Sequence, residues 1–376
     1  MKVLMTGGGT GGHVYPAIAI ANTIKNNIPN AEIAFVGTPR GIENRICRSE
    51  GYPIFHVDVK GISRSLSPAN IKALYLAAVS PHRAKTIIRS FKPDVVIGTG
   101  GYVSWPIISA ASSMGIPTLL HESNAYPGLT VRKLQSKVDR VLLNFAESEK
   151  YLKKADKSAV LCVGNPLRRG FERTTKVEAR RRLGIDENAT VLLSYGGSRG
   201  AGRLNETVVE MMRLMSEKGS SVIHIHSTGD IGAAAFRESF ERFGLGRNGN
   251  IKVHEYINNM PDVMAAADVI ICRAGAMTVS EISMMRKAAI FIPSPNVVEN
   301  HQYKNAKLLV DKNAAVLIEE RELSAEKLLK EAESLLYDKE KRRELEENVY
   351  AFSNPSANRL IYDEIIKLVN EHYNRT

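Results

Sequence analysis

Met1-Lys-Val-Leu-Met-Thr-Gly-Gly-Gly-Thr-Gly-Gly-His-Val-Tyr-Pro16 opens the chain. Residues 3–5 are a short apolar run, the pattern of a buried strand. Residues 6–12 then hold five glycines, and Pro16 fits the first turn of a helix, where its missing N–H costs nothing. The unit reads as strand, glycine loop, helix. Glycines let backbone approach a ligand closely, and a helix N-terminus offers unpaired N–H groups and a positive dipole end. His13 stands at that helix head. It reads as a functional group rather than as a cap, a place that Ser, Thr, Asp or Asn fills better.

Gly7, Gly9 and Gly12 fit G-x-G-x-x-G. That fingerprint also wants an acid at the end of the second strand, about 20 residues on. The second strand reads as 32–36, so Glu32 enters it rather than leaving it, and Gly37-Thr-Pro39 follows. A nicotinamide dinucleotide is therefore disfavoured.

The rest of the chain repeats the same unit. In the first half, strands are expected at 2–5, 32–36, 53–57, 95–98, 118–121, 140–143 and 159–163, with helices such as 17–25 and 107–114 between them. Gly164-Asn-Pro-Leu-Arg168 is a turn-rich break. A second series follows at 190–195, 221–226, 251–254, 269–272 and 289–293, its first strand again running into a glycine loop, 196–202, and a helix. Alternating strands and helices predict α/β domains with parallel sheets. Residues 325–350 read as helical and mostly solvated. After Ser353-Asn-Pro355 a last helix over 357–373 carries Leu360, Ile361, Ile365, Leu368 and Val369 on one face, fit to return onto the first domain. The expected division is 1–163 joined by 355–376, and 164–354.

With 376 residues the chain has the length of two ordinary domains. Its three cysteines, Cys47, Cys162 and Cys272, show no C-x-x-C spacing, which argues for a reducing compartment and against a zinc site or disulfide framework. No signal-peptide pattern opens it, and no run approaches the roughly 18 apolar residues of a membrane span. The net charge of +11 asks for an anionic partner. A nucleic-acid-binding protein is suggested by that charge alone, since aromatic stacking platforms and helix-turn-helix or zinc signatures are missing.

Four stretches carry chemistry. Arg273-Ala-Gly-Ala-Met-Thr-Val-Ser-Glu281 follows an apolar strand; small residues at a helix start suit a diphosphate, and Glu281, a turn further in, suits a ribose diol, its alternative being an ordinary acid favouring the helix dipole. Residues 293–306 are rich in amides and hydroxyls, which suit a neutral sugar. Residues 98–106 and 121–128 leave strand ends, where ligands gather in open α/β sheets, so His13 and Glu122 are expected to share a cleft. His224 and His226 alternate on a strand and read as core or hydrogen-bonding residues. No Asp-x-Asp occurs, so no carboxylate pair for a metal–diphosphate is expected.

Between Asp58 and Asp94 the chain has no acid, but it has Lys60, Arg64, Lys72, Arg83, Lys85, Arg89 and Lys92 around an apolar segment, 71–79. Basic residues about an apolar helix suggest contact with an anionic membrane surface, with Ile71, Leu74, Leu76 and Trp105, placed on a loop of the same domain, as the contacting side chains. The alternative is a buried helix with solvated basic residues.

Taken in order, Gly8-Gly-Thr-Gly-Gly-His-Val-Tyr-Pro16, Gly100-Gly-Tyr-Val-Ser104, His121-Glu-Ser-Asn-Ala125, Gly164-Asn-Pro-Leu-Arg168, Gly196-Gly-Ser198, Arg273 to Glu281 and Asn300-His-Gln-Tyr303 closely resemble the MurG family over nearly the whole chain. These are transferases that move N-acetylglucosamine from UDP-N-acetylglucosamine (UDP-GlcNAc) to undecaprenyl-diphosphate-N-acetylmuramoyl pentapeptide, making lipid II from lipid I. The resemblance implies a GT-B fold, two Rossmann-like domains with the active site between them, and an inverting transfer with no metal and no cofactor. The candidate catalytic bases are His13 and Glu122, both at strand ends of the acceptor domain, with His13 favoured and Glu122 either orienting it or taking the proton itself. The resemblance implies donor contacts from Thr10, Gly11, Gly12, Asn124, Arg168, Ser198, Ile257, Arg273, Ala276, Met277, Thr278, Val279, Ser280, Glu281, His301 and Gln302. Gly11, Gly12, Tyr102 and Asn124 would hold the acceptor. It further implies a peripheral place on the cytoplasmic face of the membrane and partners among cell-wall synthesis and division proteins. Arg199 stands where the family has Gln, Trp105 where Gly is common, and His301-Gln302 at the family's double-Gln position. A UDP-GlcNAc 2-epimerase or hydrolase would share the architecture but needs no lipid acceptor, so the basic apolar segment weighs against it.

Overall fold

The computed structural model describes residues 1–59, 68–197, 199–230 and 232–374, with residues 68–78 as backbone only. The chain divides into two compact units, Met1–Leu167 with Asn354–Thr376, and Arg168–Ser353. The boundary falls after Leu167 rather than after 163: Leu167 exchanges backbone hydrogen bonds with the Asn358 side chain (3.1 and 2.9 Å), which ties Gly164-Asn-Pro-Leu to the first unit.

The first unit runs β1 (Lys2–Thr6), α1 (Gly11–Asn27), β2 (Glu32–Gly37), α2 (Glu43–Ser49), β3 (Ile54–His56), α3 (Pro68–Phe91), β4 (Val95–Gly98), α4 (Ser104–Ser113), β5 (Thr118–Glu122), α5 (Leu129–Leu134), β6 (Arg140–Leu143) and β7 (Val160–Cys162). The parallel sheet has the order β3-β2-β1-β4-β5-β6-β7. Its central strands are apolar on both faces because helices cover both; Leu4, Met5, Val96 and Ile97 are wholly buried. The order reverses between β1 and β4. Ligand crevices of such sheets lie at that reversal, beyond the carboxyl ends of the strands, where the glycine loop and residues 99–103 emerge.

In the second unit come α6 (Lys176–Leu183), β8 (Val191–Tyr195), α7 (Gly202–Glu217), β9 (Ile223–Ser227), α8 (Ala233–Arg242), β10 (Ile251–His254), α9 (Met260–Ala266), β11 (Val269–Cys272), α10 (Ala276–Met284), β12 (Ala288–Phe291), α11 (His301–Val310), β13 (Val316–Leu317), α12 (Ala325–Tyr337) and α13 (Lys339–Tyr350). Its parallel sheet is ordered β10-β9-β8-β11-β12-β13. The reversal lies between β8 and β11, so residues 196–201 and 273–275 leave the sheet there. The chain then returns to the first unit as α14 (Ala357–Tyr373), whose Ile361, Ile365, Leu368 and Val369 share a core with Ile18, Ile20 and Ile24 of α1.

Three local expectations are corrected. Helix α1 starts at Gly11, so Pro16 lies inside it and lacks the N–H that would reach the Gly12 carbonyl. Residues 325–350 are two helices, broken at Asp338, whose side chain caps α13 through the Lys341 amide (2.9 Å). And α12 is no solvated helix, because Leu328, Leu329, Ala332, Leu335 and Leu336 are buried in the core of the second unit. Among the described residues no helix is long and apolar enough to cross a membrane.

Candidate active-site elements

In the first unit, α1 has Thr10 as its N-cap residue, in extended conformation and without a side-chain cap bond. His13 is therefore the third helical residue, not the cap. Its Nδ1 lies 3.2 Å from the Gly8 carbonyl oxygen and 3.3 Å from Thr10 Oγ1. A carbonyl only accepts, so Nδ1 carries the proton and Nε2 the acceptor lone pair. The loop after β4 closes on the same ring. Thr99 Oγ1 donates to the His13 carbonyl (2.6 Å), and Ser104 Oγ reaches the Thr6 carbonyl (3.1 Å). A Cβ at Gly100 would lie 3.1 Å from Nε2, and one at Gly101 only 2.2 Å from the Gly8 oxygen; both glycines have positive φ (+104° and +82°). These positions need glycine for space and for conformation. Tyr102 lies over Gly9, its Cε1 3.0 Å from where a Cβ would stand.

Glu122 ends β5 and is 5 % exposed. Oε1 accepts from the Asn124 amide (2.9 Å) and the Asn124 side chain (3.1 Å), and Oε2 from the Gly128 amide (2.7 Å). Burial pushes its carboxyl up and these hydrogen bonds pull it back. Thr130, two residues beyond Gly128, donates to the Gly101 carbonyl (3.1 Å), so the 122–130 turn adjoins the loop against His13. The His13 tautomer is set by the Gly8 carbonyl, not by Glu122.

A carboxylate not expected from the sequence sits behind the glycine loop. Glu43 is 1 % exposed. Its Oε1 accepts from the Thr38 amide and hydroxyl (2.8 Å each) and its Oε2 from the Gly9 amide (3.2 Å).

In the second unit, Gly275 caps α10 in extended conformation, and Ala276, Met277, Thr278, Val279, Ser280 and Glu281 form its first two turns. Arg273 is already engaged: Nη1 donates to the Ile292 carbonyl (2.9 Å) and Nη2 to Glu320. Glu281 is half-buried. Desolvation pushes its carboxyl up to about 7, against the nearby positive charge of Arg168. Arg168 lies over the Phe171 ring (5.9 Å). Ile257 is buried. Ser198 lies outside the described residues.

The segment before α11 has Glu299 and Asn300 both left-handed (φ 56° and 52°), a costly conformation that clusters at functional sites. His301 Nδ1 donates to the Val298 carbonyl (2.9 Å), and burial holds its imidazole below the usual range. Gln302 Oε1 accepts from the Ser294 amide (2.8 Å), which turns the amide NH2 of Gln302 to other partners. His224 Nε2 and His226 Nδ1 both meet Ser194 Oγ (2.8 and 2.7 Å) in the buried core.

The basic segment gave a mixed outcome. The side chains of Ile71, Leu74, Leu76 and Lys72 lie outside the described residues. Arg83 is paired with Asp58 (2.6 Å), while Arg89 is exposed. Trp105 is not on a loop: it is the second residue of α4, half-buried and packed against the core.

Comparison with known proteins adds a separate line of evidence. The glycosyltransferase family 28 N-terminal domain matches residues 3–143, and the corresponding C-terminal domain matches residues 191–361. A protein of Thermoanaerobacter sp. (strain X514), named UDP-N-acetylglucosamine--N-acetylmuramyl-(pentapeptide) pyrophosphoryl-undecaprenol N-acetylglucosamine transferase, is 43% identical over 98% of this chain and 100% of its own. A crystal structure of MurG from Acinetobacter baumannii is similar with a TM-score of 0.78 at 27% identity, covering 97% of this chain and 99% of that one. A UDP-GlcNAc 2-epimerase from Neisseria meningitidis has the same fold (TM-score 0.66, 98% of this chain and 100% of that one) at only 14% identity.

Proposed function

The chain belongs to the MurG family within glycosyltransferase family 28, and from that premise we propose how its residues share the work of the reaction. The enzyme transfers N-acetylglucosamine from UDP-GlcNAc to the C4 hydroxyl of the N-acetylmuramoyl unit of lipid I, forming lipid II. The observation that carries this reading is the match of both family domains together with near-full-length identity to named transferases, since the fold alone is shared with an epimerase. Turnover of UDP-GlcNAc with and without a lipid I analogue tests it. UDP released only with acceptor is the expected result; release or epimerisation without acceptor overturns it.

Inversion requires the acceptor hydroxyl to approach the anomeric carbon from the face opposite the leaving UDP. The new bond forms from that oxygen, the bond from the anomeric carbon to the β-phosphate oxygen breaks, and the hydroxyl proton passes to the base. His13 is the base, taking the proton on Nε2; Glu122 shapes the 122–128 turn beside it, and Gly11, Gly12, Tyr102 and Asn124 hold the acceptor sugar. The charge that develops on the diphosphate is met by the N–H groups at the head of α10 and by Arg273. Arg273 must then be shared with, or released from, Glu320. The hydroxyls of the transferred sugar are read by Gln302 and His301, and Ile257 flanks the uracil.

Glu281 accepts the ribose diol. A carboxyl raised to about 7 is protonated below that pH and accepts poorly. The carboxylate form is favoured by the diol, so donor affinity is present above pH 7 and declines as pH falls, by up to about tenfold per pH unit. Calorimetric titration with UDP-GlcNAc, a phosphate diester whose own charge is constant over this range, is expected to show weaker binding at pH 6 than at pH 8 for the wild type. Glu281→Gln is expected to bind weakly at both. A wild-type affinity flat across that range would return Glu281 to a helix-dipole role.

Membrane association is peripheral, through the basic residues of the 60–92 segment. Binding to vesicles containing anionic lipid is expected to weaken steeply between low and physiological salt, and charge reversal at Lys72 and Arg89 to release the enzyme while turnover of a short-chain acceptor persists. Salt-independent binding would place the contact elsewhere.

A further inference from the structure

We propose that Glu43 is a positioning residue for His13, acting through the peptide group between Gly8 and Gly9. The inference rests on the assignment of His13 as base and deepens it. Glu43 Oε2 accepts the Gly9 N–H (3.2 Å), and the Gly8 carbonyl accepts the His13 Nδ1–H (3.2 Å). That N–H and that carbonyl belong to one planar trans peptide and point in opposite directions. Holding one end fixes the other. The order of bonds is carboxylate, peptide, imidazole, with the peptide standing where a direct carboxylate–imidazole contact would otherwise be.

Two features make this arrangement more than a neighbourhood. The peptide is flanked by glycines, with Gly9 at φ +84°, so no side chain resists its rotation; the restraint must come from its hydrogen bonds. And the site is shaped round the carboxylate. A Cβ at Gly8, Gly37 or Gly41 would stand 2.9, 2.5 or 2.0 Å from a Glu43 side-chain atom, while Thr38 fixes Oε1 through two hydrogen bonds. A buried carboxylate on an amide N–H also polarises that amide and strengthens its carbonyl as an acceptor. The effect on the ring is to hold the proton on Nδ1 and to raise electron density at Nε2, the atom that would take the acceptor's proton.

The test uses full-length protein with 15N-labelled histidine. In the wild type the His13 ring is expected in the Nδ1–H tautomer. Glu43→Gln is expected to shift it toward Nε2–H and to lower kcat by about 10–100-fold, the range typical when an outer hydrogen-bond partner of a functional imidazole is lost. KM for UDP-GlcNAc should change little. In a His13→Ala background the same substitution should cause no further loss of kcat, because its effect passes through the missing ring. A structural role would instead multiply with His13→Ala and leave the tautomer alone, and that result overturns the proposal. So does a wild-type ring in the Nε2–H tautomer, a measurement that needs no variant to fold. An active His13→Ala enzyme overturns the base assignment alone.

Discussion

Lowering the pH from about 6.5 to 4.5 is expected to cost the second unit about 5 kcal/mol through two buried histidines, partly offset by Glu281, whose raised carboxyl takes up its proton in the folded protein before it does in the unfolded chain. His224 and His226 are 1 % and 0 % exposed and share the Ser194 hydroxyl. That hydroxyl has a single proton to give. The outer nitrogens, His224 Nδ1 and His226 Nε2, are buried without a hydrogen-bond partner, and the His226 ring stacks on Phe236 at 4.7 Å. An imidazolium here would carry a desolvated charge with no anion beside it. Burial accordingly holds His224 well below the usual range, with repulsion from His226 adding to it, and holds His226 at about 3. In the unfolded chain both titrate near 6.5. Below that pH the unfolded state binds protons that the folded state refuses, so stability falls with pH by about 1.4 kcal/mol per pH unit for each histidine. In the first unit, burial likewise lowers the His121 imidazole, to about 4. Between pH 6.5 and 5, the histidine contribution is therefore read from hydrogen exchange in β8 and β9, in the wild type against a variant that lacks both rings. A His224→Gln/His226→Gln double variant should show a flatter dependence for the second unit, whatever its stability at neutral pH. An unchanged slope in that variant would exclude the pair as the cause.

The sheets were legible because each central strand is a short apolar run that leads into glycines and a helix. The order of the strands, with its two reversals, was not: repetition of the unit does not say which strands lie side by side. β13 was not legible: two residues carry no period, and Val316–Leu317 is a strand only because β12 lies beside it. The break between α12 and α13 had a signal in Asp338, which was masked by good helix formers on either side. At the site, the glycine loops and strand ends stood out, since backbone approach leaves a compositional trace. The side chains that hold those loops did not. Glu43 in the sequence is an acid in a short, charged stretch, indistinguishable from a solvated first-turn residue. Gly37 and Gly41, which make room for it, lie just before it in sequence, but Gly8 and the Gly9 amide that it binds are brought there only by the fold. Glu320 is a similar case, one of three acids in residues 319–322, singled out only by Arg273.

Replacing His13 by Ala is expected to lower kcat about 10²–10⁴-fold, the usual contribution of a general base, with UDP-GlcNAc binding retained. The acceptor hydroxyl is a poor nucleophile until its proton is taken, and the two candidates to take it are His13 and Glu122. Glu122 is the weaker candidate on its geometry. Both its oxygens are bound by donors of its own turn, from Asn124 and Gly128, and accepting a proton would cost those bonds. His13 has the opposite arrangement. Its Nδ1–H is given to the Gly8 carbonyl, which leaves Nε2 as the acceptor nitrogen, and glycine at 100 places no Cβ against that edge of the ring, where one would stand 3.1 Å from Nε2. Loss of the ring should also abolish the acid limb of the wild-type pH–rate profile, and added imidazole should restore part of the activity by entering the space the ring vacates. Glu122→Gln keeps the acceptor to the turn at one oxygen and should lose less activity than His13→Ala. A folded His13→Ala enzyme that keeps more than about a third of wild-type kcat, with its acid limb intact, would remove His13 from the reaction and pass the role of base to Glu122.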